Sequence, residues 1–370
     1  MTPERLVDEC AIVDALVDGQ AESWDLEGLI PEQVLRDLGA RGLLCPQVPR
    51  AHGGADLSSQ LAGEFTAYVG SLCSSLRSVM TSQGMAAWTI QRLGDAEQRR
   101  DYLTQLASGR LAAVGFSETD AGSDLSAINT RVHKDGDSIL LTGQKVWMTA
   151  AQYADLLVIV CRYGDDAAAV VVPASAPGVR IERVADPLGC RAAGHANVQF
   201  DSVRLPMSSL LGGTSQSLSL LVTTALTYGR ISVAWGCVGI LRACLTAASA
   251  HSLSRQQFGK PLVEHQLVGR HLAELLASEQ IATRICEHAS RCWDANSPDV
   301  VVATVLAKHV SATHAVQGAA SAVQVLASTG TQDGHIVARA YRDAKLMEII
   351  EGSTEICQLI LAQHAIAASR

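Results

Sequence analysis

The chain has 370 residues, 48% hydrophobic and 18% charged, with a formal charge of −8. That describes a globular chain with a large core, long enough for two or three domains, and not a disordered one. A net-acidic chain with no basic stripe excludes the usual nucleic-acid binder.

Residues 1–112 read as helical. Apolar positions recur at helical spacing in Ile12–Leu16, Val34–Leu38, Leu61–Tyr68 and Met85–Leu93, with Pro and Gly between them. Over 113–215 the period changes. Ser138–Thr142, Leu156–Cys161, Ala168–Val172, Val179–Val184 and Val198–Phe200 are short runs bounded by Gly, Asp and Pro, which predicts a small antiparallel β domain. Over 216–370 long helical patterns return in Leu218–Ser249, Glu264–Trp293, Val300–Ala327 and Gly334–Ile349. Helices, then strands, then helices predicts a β domain set between helical bundles. The last helices are rich in small residues on several faces, so they are expected to be buried on all sides, in a bundle core or against another subunit, and a homo-oligomer is expected.

Ten cysteines stand singly, without C-x-x-C or metal-ligand spacing, and are expected to be reduced, buried thiols of a cytoplasmic protein. The N-terminus is acidic rather than basic then apolar, no apolar run is expected to reach membrane-spanning length, and no metal site is expected. No G-x-G-x-x-G, P-loop, H-E-x-x-H or G-x-S-x-G occurs, which removes the main support for nicotinamide, nucleotide-hydrolysing, zinc-peptidase and serine-hydrolase readings. His195, between Gly194 and Ala196, reads as a turn residue rather than a ligand.

The most informative stretch is Asp343–Ile356, where an apolar helical run stops at Glu351-Gly352 and a new one opens behind Ser353-Thr354. A carboxylate at a break between two packed helices suits a general base if apolar neighbours desolvate it. A solvated helix end is the competing explanation. Two further segments suit a planar cofactor: Gly115–Asp124, a Gly/Ser loop with free amides, and Lys145–Thr149, which carries a Trp beside a Thr. By itself the first is better read as an ordinary Gly/Ser turn with an Asp cap, and the second reads equally well as a strand-end core.

Taken in order, Gly53-Gly54, Gly115–Asp124, Lys145–Thr149, Phe200–Pro206, Arg255–Gly259, Gln324–Gly330 and Asp343–Ile356 resemble the acyl-CoA dehydrogenase family over almost the whole chain. The resemblance implies a mainly α fold with a central β domain: an N-terminal helical domain, a middle β-barrel or sandwich, and a C-terminal four-helix bundle. It implies FAD, with Phe116, Ser117 and Ser123 lining the flavin and Trp147 and Thr149 packing on and bonding to its ring. Arg255, Phe258, Gln324 and Gly330 match residues that reach the FAD pyrophosphate and adenosine from a neighbouring subunit of a homodimer or homotetramer. Ser353 and Glu355 match contacts to the adenosine end.

Glu351 matches the catalytic base that removes a proton alpha to a thioester carbonyl, its backbone N–H helping to polarise that carbonyl. The site where some relatives carry the base instead is Gly229, just before Arg230, and cannot serve. Arg230 and Gly352 flank the expected substrate. Two positions depart from the family pattern: Ala327-Ser328 replaces a Gly-Gly, and Ile350 replaces a Tyr.

Arg77, within Leu76–Gln83, resembles the segment with which glutaryl-type members meet a distal carboxylate; a core or surface ion pair is the alternative. Cys73–Trp88, Tyr228–Ala243 and Tyr341–Glu351 further resemble the dehydrogenases of methoxymalonyl extender-unit pathways in polyketide, including antibiotic, biosynthesis. That implies a glycerate-derived group on an acyl carrier protein, and an electron-transfer flavoprotein as acceptor. Three alternatives remain open here: a catabolic short-chain or dicarboxylyl acyl-CoA dehydrogenase, a flavin monooxygenase or oxidase on the same fold, and a non-catalytic binding protein.

Overall fold

A computed structural model describes residues 3–369. Six helices come first: α1 (Pro3–Val17), α2 (Ala21–Glu27), α3 (Glu32–Ala40), α4 (Ser59–Leu72), α5 (Ser74–Leu93) and α6 (Ala96–Ala107). Helix α6 opens on a full capping box, in which Asp95 and Gln98 satisfy each other's backbone amides. Helix α5 is unusual, because residues Ser74–Ala87 are buried all round although seven of them carry hydroxyl, amide or guanidinium groups. Those groups need partners inside the protein.

Eight strands follow: β1 (Ala112–Gly115), β2 (Arg131–Asp135), β3 (Ser138–Met148), β4 (Leu156–Tyr163), β5 (Asp166–Pro173), β6 (Val179–Arg183), β7 (Ala196–Pro206) and β8 (Leu210–Gln216). They form one sheet in the order β6-β7-β3-β2-β4-β5-β8, with β1 beside β4. The expectation of an antiparallel domain needs correction. β1 runs parallel to β4, and β2 touches β4 in parallel through Arg131 and Arg162. No hairpin turn joins β1 to a neighbour. It leaves the helical region as a short apolar run and pairs with a strand more than forty residues away, which local periodicity cannot register.

The last third holds α7 (Leu218–Ser254), a small hairpin of β9 (Gln256–Gln257) and β10 (Lys260–Pro261), then α8 (Gln266–Asp294), α9 (Val300–Leu326), α10 (Ile336–Met347) and α11 (Thr354–Ala368). Helix α7 is the axis of the molecule: residues Thr227–Leu241 are buried throughout, packed against α4, α5, α8, α9 and α10. The expectation that no apolar run reaches membrane-spanning length is corrected here. Helix α7 is long and apolar enough by composition, but 72% of its apolar window is buried inside the protein, as in a core helix.

Candidate active site

The break between α10 and α11 is held from below by two buried cations. Lys308 of α9 donates to the carbonyls of Glu348 and Gly352 at 3.2 and 2.6 Å. Arg230 of α7 donates through Nε to the carbonyl of Glu351 at 3.1 Å. Carbonyls left over at a helix end attract cations, so these bonds fix the turn and add positive charge beneath it. Within that turn Glu351 adopts φ 56°, a left-handed conformation uncommon for a residue with a side chain.

The Glu351 carboxylate lies over Gly229 of α7. A methyl group there would sit 2.3 Å from Oε2 and 2.8 Å from the Met85 sulfur, so only glycine leaves room for the acid. The residue as a whole is partly exposed, whereas Oε2 is buried and has no hydrogen-bond partner among the described residues. Burial pushes its pKa up to about 7, against the opposing pull of Arg230, Lys308 and Arg77. A carboxylate poised near neutrality and unbonded on one oxygen can take a proton from carbon.

Arg77 is fully buried on α5. Its Nη1 donates to Thr81 Oγ1 at 3.2 Å and its Nη2 meets the Met347 sulfur at 3.0 Å, while Nε has no partner. Among the described residues no carboxylate pairs with it, so the ion-pair alternative does not hold. Gly236 of α7 leaves room for it; a methyl group there would lie 2.7 Å from Nε. Thr81 Oγ1 also bonds to Ser232 Oγ of α7 at 2.8 Å. The buried contact between α5 and α7 is therefore polar and charged, an environment that suits polar groups rather than a plain alkyl chain.

A second group of the expected site residues stands on the sheet. Between Lys145 and Met148 strand β3 carries a bulge against β7, and Trp147 takes up the extra residue at φ 55°. A bulge re-aims a side chain, and here the indole ends 56% exposed although it is large and apolar. Thr149 follows two residues later. Beneath them Lys145, buried, donates to Glu118 Oε1 at 2.7 Å and to the Phe116 carbonyl at 2.8 Å. Glu118 in turn accepts from the Asn129 and Thr130 amides at 2.6 and 3.1 Å. Burial raises the Glu118 pKa, but Lys145 and these amides outweigh it and hold the acid below its ordinary value, as a charged pair. Val146 N–H donates to the Ser117 carbonyl at 2.9 Å, so the pair and this bond lash the 115–124 loop to β3.

Phe116 and Ser117 are half-buried and Ser123 is exposed on the loop. Arg255, Phe258 and Gln324 are exposed, Phe258 by 94%, and among the described residues no hydrogen bond or ring contact joins them to Trp147 or Glu351. Gly330 is buried beneath Leu326 and Val337. Ser353 caps α11 by accepting from the Ile356 amide, and Glu355 is exposed on the first turn.

Four residues of the candidate site were given no role by the sequence reading: Lys308, Glu118, Lys145 and His195. The last, read as a turn residue, lies directly before β7, past the turn at residues 191–192, and its ring is buried. Thr149 Oγ1 lies 3.3 Å from Nδ1, Nε2 has no partner, and the ring stands 6.1 Å from Trp147. A Gly on one side and an Ala on the other gave no signal of burial.

This fold and site define a class of enzyme, and models of its three parts cover the chain. The N-terminal domain of acyl-CoA dehydrogenase matches residues 10–110, the middle domain 113–203 and the C-terminal domain 220–366. The chain belongs to the acyl-CoA dehydrogenase family and is an FAD-dependent oxidoreductase of it. It is 60% identical to FkbI, for biosynthesis of the methoxymalonyl extender unit of the Fk520 polyketide immunosuppressant. The two superpose with a TM-score of 0.93 over 97% of this chain and 99% of that one. It is 32% identical to the probable acyl-CoA dehydrogenase YngJ of Bacillus subtilis (strain 168), over 93% of this chain and 92% of that one. A glutaryl-CoA dehydrogenase from Mycobacterium smegmatis in complex with FADH2 is 25% identical, with a TM-score of 0.89 over 98% and 95%. Members of the family therefore bind FAD.

Replacing Lys145 by Met should leave Glu118 buried without its cation and cost about 3–5 kcal/mol of stability. Urea unfolding measures this. A loss below about 1 kcal/mol, the range of exposed pairs, would show that the pair does not organise the loop.

Proposed function

We propose that the protein dehydrogenates a short, polar, glycerate-derived acyl thioester, carried on an acyl carrier protein, in the making of a methoxymalonyl-type extender unit. The observation that carries this reading is the buried, unbonded Glu351 Oε2, together with the buried hydroxyls and the Arg77 without a carboxylate partner between α5 and α7. The 60% identity to FkbI supports the same substrate class.

FAD, when bound, supplies the hydride acceptor. The exposed Trp147 indole, the Thr149 hydroxyl and the loop of Phe116, Ser117 and Ser123 offer an open aromatic face beside polar atoms, and they fit a planar ring. Arg255, Phe258, Gln324, Gly330, Ser353 and Glu355 are assigned to the pyrophosphate and adenosine of a cofactor shared across a homodimer or homotetramer. Supporting this, Phe258 is 94% exposed, and Leu267, Leu276, Leu359 and Ile366 are at least half exposed.

Glu351 takes the proton from the α-carbon while the hydride leaves the β-carbon. A 2,3-dihydroxypropionyl thioester so oxidised gives an enol, which tautomerises to the 2-hydroxy-3-oxo thioester. The Glu351 backbone N–H and its bound Arg230 favour the negative charge that grows on the thioester oxygen. Arg77 meets the oxygen at the far end of the acyl group, and Gly352 keeps the entrance open. Reoxidation by an electron-transfer flavoprotein and a cytoplasmic setting complete the reading.

A second reading has its own observation. An unpaired buried Arg also suits the distal carboxylate of a dicarboxylyl-CoA, as a catabolic enzyme would require. Anaerobic bleaching of the yellow protein separates the two. Glyceryl-loaded carrier protein should bleach it and a dicarboxylyl-CoA should not; the reverse would overturn the carrier-protein reading.

Glu351→Gln should keep its flavin and slow bleaching by the true substrate about 10²–10⁴-fold, the usual worth of a general base. Bleaching at the wild-type rate would remove Glu351 from that role.

A further inference from the structure

Helix α9 packs against both α10 and α11, and its buried residues are small or apolar with a single charged side chain among them, the fully buried Lys308. Buried charges are ordinarily paired with an opposite charge. Among the described residues no carboxylate pairs with Lys308, and Glu348, whose carbonyl it bonds, gives its own carboxylate to Lys345 at 2.7 Å. The two carbonyls that Lys308 Nζ does bond straddle Glu351, one just past α10 and one just before α11. Each has a second donor: the Thr354 N–H at 2.9 Å for Glu348, and the Cys357 thiol at 3.5 Å for Gly352. Neutral groups therefore already serve both carbonyls, and their hydrogen bonding alone does not call for a cation. What an ammonium adds at this place is its field, and the unbonded acid on the same turn is Glu351.

We propose that Lys308 is a positioning residue for Glu351: its ammonium pins the turn on both sides of the base, and its charge keeps the nearby carboxylate ionised enough to accept a proton. This deepens the proposed function and rests on Glu351 being the base. Glu351 and Gly352 are both left-handed, at φ 56° and 95°, so the turn merges with neither helix, and two bonds to one nitrogen confine it. The charged groups that act on the carboxylate come from three helices and are all cations: Arg230 of α7, Lys308 of α9 and Arg77 of α5. Arg230 bonds the Glu351 carbonyl, and Arg77 is held by Thr81 and Met347. Around Lys308 itself stand Cys357 of α11, Cys237 and Arg230 of α7, and Glu351. Burial by itself favours the neutral acid, which cannot take a proton; the three cations oppose it and leave the pKa at about 7. The dependence is mutual, since burial lowers the Lys308 pKa while the Glu351 charge works to raise it.

The test reads the carboxyl group without substrate. Infrared difference spectra of flavin-loaded Lys308→Met minus Lys308→Met/Glu351→Gln protein, taken against pH, follow the titration of Glu351 alone. Removing a cation favours the protonated acid, so the midpoint should rise by about 1 pH unit over the wild-type value, the lower end of what a neighbouring charge does. Lys308→Arg, which restores the charge, should bring the midpoint back toward the wild-type value. An unmoved midpoint in folded Lys308→Met protein would overturn the inference. Should the Met variant not fold, Lys308→Gln keeps a donor for the carbonyls without the charge, and the same rise is expected. Loss of the fold in both would make Lys308 a structural residue and overturn the inference as well. Failure of the underlying function looks different: Glu351→Gln protein bleached at the wild-type rate removes the base, whereas an unmoved midpoint removes only the role of Lys308.

Discussion

Everything at the active site depends on a carboxylate kept out of water yet deprived of a partner. Glu351 is forced into a left-handed turn, its backbone carbonyl is held by Arg230, and Lys308 binds the carbonyls on either side. The cations are thus spent on the backbone and act on the carboxylate only at a distance. Had either reached Oε2 directly, the acid would be a satisfied ion pair with a depressed pKa and no appetite for a proton. Desolvation wins instead, and the net shift is upward.

The sheet uses the same economy of means. A bulge turns Trp147 outward, and a buried Glu118–Lys145 pair fixes the loop beneath it. Such a pair adds little net stability compared with apolar packing, but with the Val146–Ser117 bond it sets one geometry for the loop and the strand. Helix α7 makes room for the charged groups. Its glycines at 229 and 236 give up side chains where Glu351 and Arg77 must enter. Those positions cost helix propensity, a loss the buried helix absorbs through packing on five neighbours.

The helix–strand–helix order was legible because the hydrophobic period changes near residues 112 and 216, and most strands and helices appear as the spacing predicts. The parallel pairing of β1 was not legible, since pairing between distant segments leaves no local trace. Within the site, the break at Glu351-Gly352 could be read as a break. What made its carboxylate special could not, because Gly229, Arg230 and Lys308 lie over forty residues away on other helices. Nor could His195 be recognised as buried, for small neighbours look alike in a turn and in a packed wall. Arg255, Phe258 and Gln324 had meaning only through family resemblance, since this chain alone leaves them exposed.

The claim underneath all of this is that Glu351 holds its proton far above the ordinary carboxylate range. Infrared difference spectra of wild-type minus Glu351→Gln protein, taken against pH, would follow the protonated carboxyl stretch of this one side chain. The account predicts a band that disappears with a midpoint near pH 7. A carboxylate already ionised at about pH 5, close to the usual glutamate value, would contradict it.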